Sequence, residues 1–238
     1  MRSYLIGGGW TEAARHLVYG PFLQAAGADP TIACVVLDEG DGRRGFERWA
    51  TLLEAVASCD PTPVLVAEGD TLDVAALGNA NGVLVCGGLT PAYASAIAPV
   101  ATELVDWLRA GDRPYAGFSA GAAIASTAAL VGGWKVGDIA VCSEDASEDL
   151  DEVTVVAGLG LAPFTVDVHA AQWGTLARLI AAVRSGTVEA GLAIDEDTMV
   201  EISDDGTARI AGLGLAHHVS AIGGAVLVQA WSPGDTIS

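Results

Sequence analysis

The most informative segment of the sequence is Tyr115-Ala116-Gly117-Phe118-Ser119-Ala120-Gly121-Ala122-Ala123-Ile124-Ala125. Its first four residues favour a buried β-strand, and its alanine-rich second half favours a helix that begins directly after the strand. In so tight a turn, the residues two before and two after the serine must be very small, and both are glycine here. The turn therefore predicts an exposed hydroxyl on Ser119 at the carboxyl end of a sheet, which is typical of a catalytic nucleophile. A serine that only caps the helix is the alternative.

A serine hydroxyl is a weak nucleophile until a neighbouring base, usually a histidine, accepts its proton. The histidines of the chain are His16, His169, His217 and His218. His169 follows a short apolar strand at 165–167, so it should reach the same carboxyl edge of the sheet as Ser119. We therefore predict that Ser119 is the nucleophile and His169 its base.

Two backbone amides commonly stabilise the oxyanion that forms when a serine attacks an acyl carbon. One candidate is the amide of Ala120, directly after the serine. Gly87-Gly88 follows another apolar strand, and glycine lets a backbone N–H turn towards the site without a Cβ in the way. We predict that this glycine pair supplies the second amide of an oxyanion hole beside Ala120. A glycine-rich turn in which Pro91 opens the next helix is the alternative.

Apolar strand-like runs alternate with helix-like segments over the first half of the chain. The predicted strands are 4–6, 32–37, 63–66, 82–86 and 115–118, and the predicted helices are 11–26, 45–58, 71–77 and 92–110. This alternation predicts an α/β fold: a single-domain three-layer sandwich over residues 1–238, with a mostly parallel central sheet and helices on both faces.

The alternation breaks at 132–152, a glycine-containing and then strongly acidic stretch that we predict to be a long surface loop. The segments after it are predicted as a strand at 165–167, a helix at 174–183 and a strand at 191–194. The last apolar segments are 199–202, 208–210 and 225–229. Because no helices separate them, they indicate antiparallel strands at one edge of the sheet, near the C-terminus.

The composition narrows the classes of partner. The net charge is −19, from 30 acidic and 11 basic residues, so the surface repels nucleic-acid phosphates and anionic lipids. No uncharged apolar run approaches the ~20 residues that span a bilayer. Gly7-Gly8-Gly9 lacks the third glycine of a dinucleotide fingerprint, which would fall on Glu12. We expect a cytoplasmic protein with no nucleic acid or membrane partner, no cofactor and no metal, and a homodimer stays open.

Further motifs accompany the serine in a fixed order. They are Leu5-Ile6-Gly7-Gly8-Gly9, Gly87-Gly88, Gly117-Phe118-Ser119-Ala120-Gly121-Ala122, Gly158-Leu159-Gly160-Leu161, Asp167-Val168-His169, Gln172, Gly174, Leu176 and Gly191-Leu192-Ala193-Ile194-Asp195-Glu196-Asp197. With these motifs the chain resembles the aspartyl dipeptidase and cyanophycinase family of serine peptidases, whose fold is related to that of class I glutamine amidotransferases. The resemblance implies a triad in the chain order serine, acid, histidine, with Gly88 and Ala120 as the oxyanion hole.

The acid of this triad is the least determined member. The family's spacing places it at Trp134 to Gly137, where this chain has no acidic residue. The nearest carboxylates downstream are Asp138, Glu144 and Asp145. We favour Glu144, because it opens an acidic run in a loop that can fold back over His169, and Asp138 and Asp145 stay open. Asp167 is less favoured, since neighbouring side chains of a strand point to opposite faces.

The substrate side departs from the family's pattern. Members commonly carry Asn or Asp with Gln after the glycine pair, where this chain has Leu89-Thr90. The cyanophycinase branch carries Arg-Gly-Arg where this chain has Trp173-Gly174-Thr175. Leu89, Thr90 and Gln172 are the candidate substrate-binding residues. Without the two arginines, an aspartate side chain or free carboxylate loses its evident partners.

These observations predict a serine hydrolase, more narrowly a peptidase that cleaves small or aspartyl/isoaspartyl-type peptides through an acyl-enzyme. The substrate partner would be a small peptide. An α/β-hydrolase-like esterase is one alternative, although in that fold the histidine generally comes late in the chain, after a further strand. A catalytically degenerate relative that binds a ligand in the same cleft is the other.

Overall fold

The computed structural model describes residues 1–237, which form two main sheets and six α-helices. The strands are β1 (Ser3–Ile6), β2 (Thr31–Asp38), β3 (Asp60–Ala67), β4 (Gly82–Val85), β5 (Tyr115–Phe118), β6 (Ala128–Gly132), β7 (Lys135–Val136), β8 (Ile139–Ala140), β9 (Thr154–Ala157), β10 (Thr165–Val168), β11 (Ala190–Ile194), β12 (Thr198–Ile202), β13 (Ala208–Gly212), β14 (Ala216–Ile222), β15 (Ala225–Trp231) and β16 (Thr236–Ile237). The helices are α1 (Arg15–Ala26), α2 (Gly42–Glu54), α3 (Thr90–Ile97), α4 (Ala101–Ala110), α5 (Ala120–Ile124) and α6 (Leu176–Ser185).

The central sheet has eight strands in the order β16-β13-β12-β1-β5-β4-β2-β3. The five strands from β1 to β3 in this order pair in parallel, whereas β12, β13 and β16 add antiparallel pairs beyond β1. Helices cover both faces, because side chains alternate along each strand and fill two separate cores. The fold is therefore the predicted three-layer α/β sandwich with a mostly parallel sheet.

One core lies beneath α1 and α2, where Phe22, Trp49 and Leu53 pack on one face of the sheet. The other core joins α3, α4 and α5 to the opposite face, with Tyr93 and Leu104 among its largest side chains. Full burial of a side chain of this size stabilises the fold by ~1.5–3 kcal/mol. These two cores fix the parallel strands, and with them the carboxyl edge that carries the site.

A second sheet was not predicted. It has four strands in the order β10-β11-β14-β15, and only β10 and β11 pair in parallel. Its inner face contributes Val166, Leu192 and Ile194 to the core beneath α3 to α5, and its outer face packs on α6 through Leu179 and Val183. The apolar segments at 165–167, 191–194 and 225–229 were thus recognised as strands but placed in the wrong sheet.

The other differences are local. The predicted helix at 92–110 is interrupted at Ala98–Val100, because Pro99 lacks the N–H that a continuous helix needs. The predicted helix at 71–77 is only a short 3-10 turn, Val74–Leu77. The predicted loop at 132–152 contains the small β7–β8 hairpin and a 3-10 turn at Glu144–Ala146. Within residues 1–237, no helix combines the length and the apolar character needed to cross a membrane.

Candidate active site

Ser119 occupies the turn between β5 and α5 with a φ of 50°. Its backbone N–H donates to the carbonyl of Ile6 at 2.8 Å, which holds the turn against the end of β1. A Cβ on Gly117 would lie 2.3 Å from the carbonyl oxygen of Gly121, and one on Gly121 would lie 2.3 Å from that of Val85. Both glycines are therefore required by close backbone packing.

The His169 ring lies beside Ser119, with Nε2 2.8 Å from the serine Oγ. His169 follows β10, and its backbone N–H donates to the carbonyl of Gly7 at 2.9 Å. Gly8 leaves room for the ring, because a Cβ at that position would lie 2.2 Å from Cε1 of His169. The glycine cluster after β1 thus serves the histidine, and the structure brings together the two side chains that the sequence singled out.

The carboxylate that contacts His169 belongs to Glu196, whose Oε1 lies 2.7 Å from Nδ1. Glu196 comes two residues after β11, the strand that pairs in parallel with β10 in the register Val168 to Ile194. Residues that follow paired parallel strands meet at one edge, so Glu196 reaches the ring. Ser119 Oγ, the imidazole and the Glu196 carboxylate form one continuous chain of hydrogen bonds.

This contact corrects the sequence prediction for the acid. Glu144 lies in the 3-10 turn of the acidic loop and makes no hydrogen bond to His169. Asp138 is exposed between β7 and β8, and Asp145 donates its backbone N–H to Ser143 in the same turn as Glu144. Asp167 is buried and pairs with Arg178. The carboxylate follows the histidine in the chain, contrary to the order that the resemblance implied.

Glu196 lies within the quoted segment Asp195-Glu196-Asp197 but was not considered as the acid. The available signal was its place directly after a strand, the same argument that selected His169. The chain order that the resemblance implies points instead to carboxylates between the serine and the histidine. The position of Glu196 beside His169 depends on the pairing of the strand at 191–194 with the strand at 165–167. Hydrophobic periodicity does not predict such pairing.

The electrostatic environment of His169 favours a neutral ring. Burial lowers the pKa of His169, and the hydrogen bond and charge of Glu196 oppose this effect. The indole of Trp173 stacks on the imidazole at a centroid distance of 3.9 Å and an interplanar angle of 7°. The ring is thus held in place on one face and at both nitrogens, which suits a group that accepts and returns a proton.

The predicted oxyanion-hole residues flank Ser119. Ala120 is its neighbour in the chain, and Gly88 lines the same cleft as the serine. Within residues 1–237, neither the Ala120 N–H nor the Gly88 N–H donates a hydrogen bond to a protein acceptor. Ala120 is buried, whereas Gly88 is exposed along the cleft. Both N–H groups are therefore available to an oxyanion.

Ser119 and His169 open into a cleft of about 890 Å³. Its walls come from the turns after β1, β2 and β4 and from the acidic loop. The carboxylates that line it are Glu39, Asp41, Glu144, Asp145, Glu148 and Asp149. Arg48 is the single Arg or Lys among the lining residues, and its guanidinium stacks 3.5 Å from the Trp10 ring centroid.

Of the three predicted substrate-binding residues, the structure places only one along the cleft. Leu89 lines the cleft. Thr90 is buried, and its backbone N–H donates to Glu148 Oε2 at 2.8 Å. The side-chain oxygen of Gln172 accepts the backbone N–H of Glu196 at 2.9 Å, so it supports the carboxylate instead of facing the cleft.

A second cavity of about 900 Å³ lies between α1 and the antiparallel edge of the central sheet. His16 lines it, but no serine or cysteine hydrogen-bonds to that ring within residues 1–237. In the same part of the chain, no group of three His, Cys, Asp or Glu residues is arranged to hold a metal ion. Ser119 and His169 are hydrogen-bonded to each other in the first cleft, which is why it is the candidate site.

The fold and the site define an α/β protein with a serine–histidine pair at the carboxyl edge of a parallel sheet. Among solved structures, the chain is similar to a Listeria monocytogenes EGD-e protein that carries the provisional name peptidase E. The two share 15% sequence identity with a TM-score of 0.58, over 90% of this chain and 98% of that chain. No protein-family model matches the sequence. At this identity the similarity shows a shared fold.

Proposed function

We propose that the protein is a serine-type peptidase that cleaves short peptides through an acyl-enzyme. The observation that carries this proposal is the hydrogen-bonded chain from Ser119 Oγ through the His169 ring to Glu196. The fold shared with the Listeria protein named peptidase E supports a peptidase over other hydrolases.

In acylation, the Ser119 hydroxyl attacks the peptide carbonyl carbon while Nε2 of His169 accepts its proton. Glu196 stabilises the resulting imidazolium through Nδ1 and keeps the ring oriented. The Gly88 and Ala120 amides stabilise the tetrahedral oxyanion. His169 then donates the proton to the leaving amine, and the C–N bond breaks to leave an ester on Ser119.

In deacylation, a water molecule replaces the amine. His169 accepts a proton from this water as it attacks the ester carbonyl, and the same two amides stabilise the second tetrahedral intermediate. Its collapse returns the proton to Ser119 Oγ and releases the acid. A neutral imidazole is needed at the start of both halves, which agrees with the lowered pKa of His169.

The charges around the cleft favour substrates with a free amino group. Six carboxylates and one guanidinium line it, so an ammonium is attracted and an additional carboxylate is repelled unless Arg48 pairs with it. We therefore expect N-acetylation of a small substrate to lower kcat/KM by about tenfold. Alanine p-nitroanilide and its N-acetyl derivative form a matched pair for this measurement.

The direct test uses a fluorophosphonate probe and a dipeptide library. We expect labelling of the wild-type protein at Ser119, with labelling and hydrolysis lost in Ser119→Ala and His169→Ala. Ser185→Ala and His218→Ala are matched controls, because both residues lie away from the cleft. Full activity in either cleft variant would overturn the proposal.

The same assay separates the alternatives. Hydrolysis of p-nitrophenyl acetate together with no cleavage anywhere in the dipeptide library would point to an esterase. A folded protein that the probe does not label would point to the ligand-binding relative. The intact hydrogen-bond chain from Ser119 to Glu196 favours an enzyme over a relative that only binds a ligand.

A further inference from the structure

A hydrogen bond joins the acidic loop (132–152) to the turn that carries Gly88. Glu148 Oε2 accepts the backbone N–H of Thr90 at 2.8 Å, although 58 residues separate them in the chain. Thr90 is the first residue of α3, and the preceding residue, Leu89, has no polar side chain with which to cap the helix. Glu148 therefore supplies a cap from outside the helix, where a carboxylate is favourable.

This cap constrains the Gly88 amide. Only Gly87, Gly88 and Leu89 lie between Cys86, which hydrogen-bonds back to Val35 of β2, and the anchored Thr90. Gly88 itself has no side chain, and its free N–H forms no hydrogen bond that would hold it. The position of this amide therefore depends on the two ends of the turn. Glu148 anchors the Thr90 end, together with the hydrogen bonds that the Leu89 carbonyl accepts from Ala92 and Tyr93.

Glu148 is in turn held by a buried network. Arg178 on α6 donates to the carbonyl oxygens of Gly133, near the start of the acidic loop, at 3.2 Å and of Ala146, two residues before Glu148, at 2.6 Å. The Arg178 guanidinium is fixed by two hydrogen bonds to Asp167, which lies two residues before His169. This connects the strand that carries the histidine to the loop that carries Glu148.

The environment of Glu148 matches a fixed acceptor more than a solvated charge. Burial raises the pKa of Glu148, and the hydrogen bond from Thr90 opposes this effect. Its backbone φ is 55°, and a Cβ on Gly132 would lie 2.7 Å from its own Cβ. The backbone of Glu148 is thus closely packed, and its carboxylate is directed to the start of α3 by the hydrogen bond from Thr90.

We propose that Glu148 is a positioning residue, which places the Gly88 amide for the oxyanion by anchoring Thr90. This inference rests on the proposed function, since it assigns Glu148 a part in the same reaction. It also gives the acidic loop a role other than that of a triad acid.

The test compares three substitutions of Glu148 in the full-length protein with a fluorophosphonate probe. Glu148→Gln keeps a side-chain oxygen at the same reach and should label within about threefold of wild type. Glu148→Ala and Glu148→Asp should lower the maximum labelling rate by about 10- to 100-fold, with little change in the half-saturating probe concentration. Asp is shorter by one C–C bond, about 1.5 Å, and keeps the charge.

Asp138→Ala is the matched control, because Asp138 lies in the same loop but outside the cleft. Amide hydrogen exchange is the second readout: Thr90 should lose protection in Glu148→Ala and Glu148→Asp and keep it in Glu148→Gln. If Glu148→Ala does not fold, the comparison of Glu148→Asp with Glu148→Gln still decides.

Three outcomes overturn the inference in different ways. Wild-type labelling in Glu148→Asp, while Ser119→Ala is unlabelled, rejects the role of Glu148 and leaves the peptidase proposal standing. An equal loss in Glu148→Gln and Glu148→Ala shows that the hydrogen bond to Thr90 is not what matters. A folded wild-type protein that is not labelled at all overturns the proposed function and this inference with it.

Discussion

Ser119 and His169 both adopt a positive φ, 50° and 55°, a conformation that non-glycine residues rarely take. Seven non-glycine residues do so within residues 1–237, and four of them line the Ser119 cleft: Ser119, Glu148, Asp149 and His169. Such strain costs about 1–3 kcal/mol per residue and persists where the surroundings impose it, commonly at functional sites. Its concentration here agrees with the site selected by hydrogen bonding.

Glu196→Gln tests the acid of the proposed triad. The substitution should lower the maximum labelling rate by about 10²-fold or more, because the imidazolium loses its counter-charge.

The same substitution should also shift the pH profile of the labelling rate. In the proposed mechanism activity requires neutral His169, so it should fall as the pH drops through the pKa of this residue. Because the charge of Glu196 raises that pKa, its removal should move the acid limb to lower pH. Labelling rates measured across pH 4–8 check both effects, with Glu144→Gln for comparison. An unshifted limb would contradict the assignment.

Gly8→Ala tests the packing around the histidine. The new Cβ would collide with the His169 ring, so we expect the Ser119–His169 hydrogen bond to break and labelling to fall below detection. Gly27→Ala is a matched control, because Gly27 has a φ of 111°, close to the 116° of Gly8, but open space around its Cβ position. Both variants should lose about 1–3 kcal/mol of stability from backbone strain. Equal labelling of the two would contradict the steric argument.

At the level of single residues, the sequence predicted the contact between Ser119 and His169 but not the other partners of the histidine. Ser119 and His169 were selected because each follows a strand whose carboxyl end faces the same edge, and their side chains do meet. Glu196 was missed because its proximity depends on the pairing of β10 with β11. Gln172 was assigned to substrate, whereas it supports Glu196. The catalytic roles of all of these residues stay predictions.

Helix α6 contributes to the stability of the fold through an ion pair that lies away from the cleft. Arg178 and Asp167 are both buried and joined by two hydrogen bonds. Arg178→Met should lower the free energy of unfolding by about 3–5 kcal/mol, because Asp167 is left as an uncompensated buried charge. Arg44→Met, which breaks an exposed pair with Asp41, should change it by less than about 1 kcal/mol. Urea titrations measure both, and similar values for the two would contradict this account.

The parallel half of the fold was the more predictable part at the level of elements. The strands 4–6, 32–37, 63–66, 82–86 and 115–118 each overlap an observed strand of the central sheet. Continuous apolar runs separated by helices leave few other arrangements for parallel strands. The predicted segments 199–202 and 208–210 form the antiparallel edge of the central sheet, as expected. The segments 165–167, 191–194 and 225–229 lie in the second sheet, because the same apolar patterns fit either sheet equally well.

The whole molecule carries a net charge of −19. The repulsion between its negative charges is stronger in the compact state than in the unfolded state. Raising the salt concentration from ~0.02 M to ~0.2 M shortens the screening length about threefold, so we expect Tm to rise. Thermal unfolding followed by circular dichroism measures the change. NaCl and KCl at equal ionic strength should act alike, and a constant or falling Tm would contradict self-repulsion as a destabilising contribution.

The two sheets have a consequence for how the protein loses activity. Ser119 belongs to the central sheet, whereas His169 and Glu196 follow strands of the second sheet. A shift of one sheet against the other by about 1 Å would separate the hydroxyl from the imidazole while both sheets keep their own hydrogen bonds. The Ser119–His169 distance therefore depends on the relative position of the two sheets. Under the proposed function, low urea concentrations should abolish activity before either sheet unfolds.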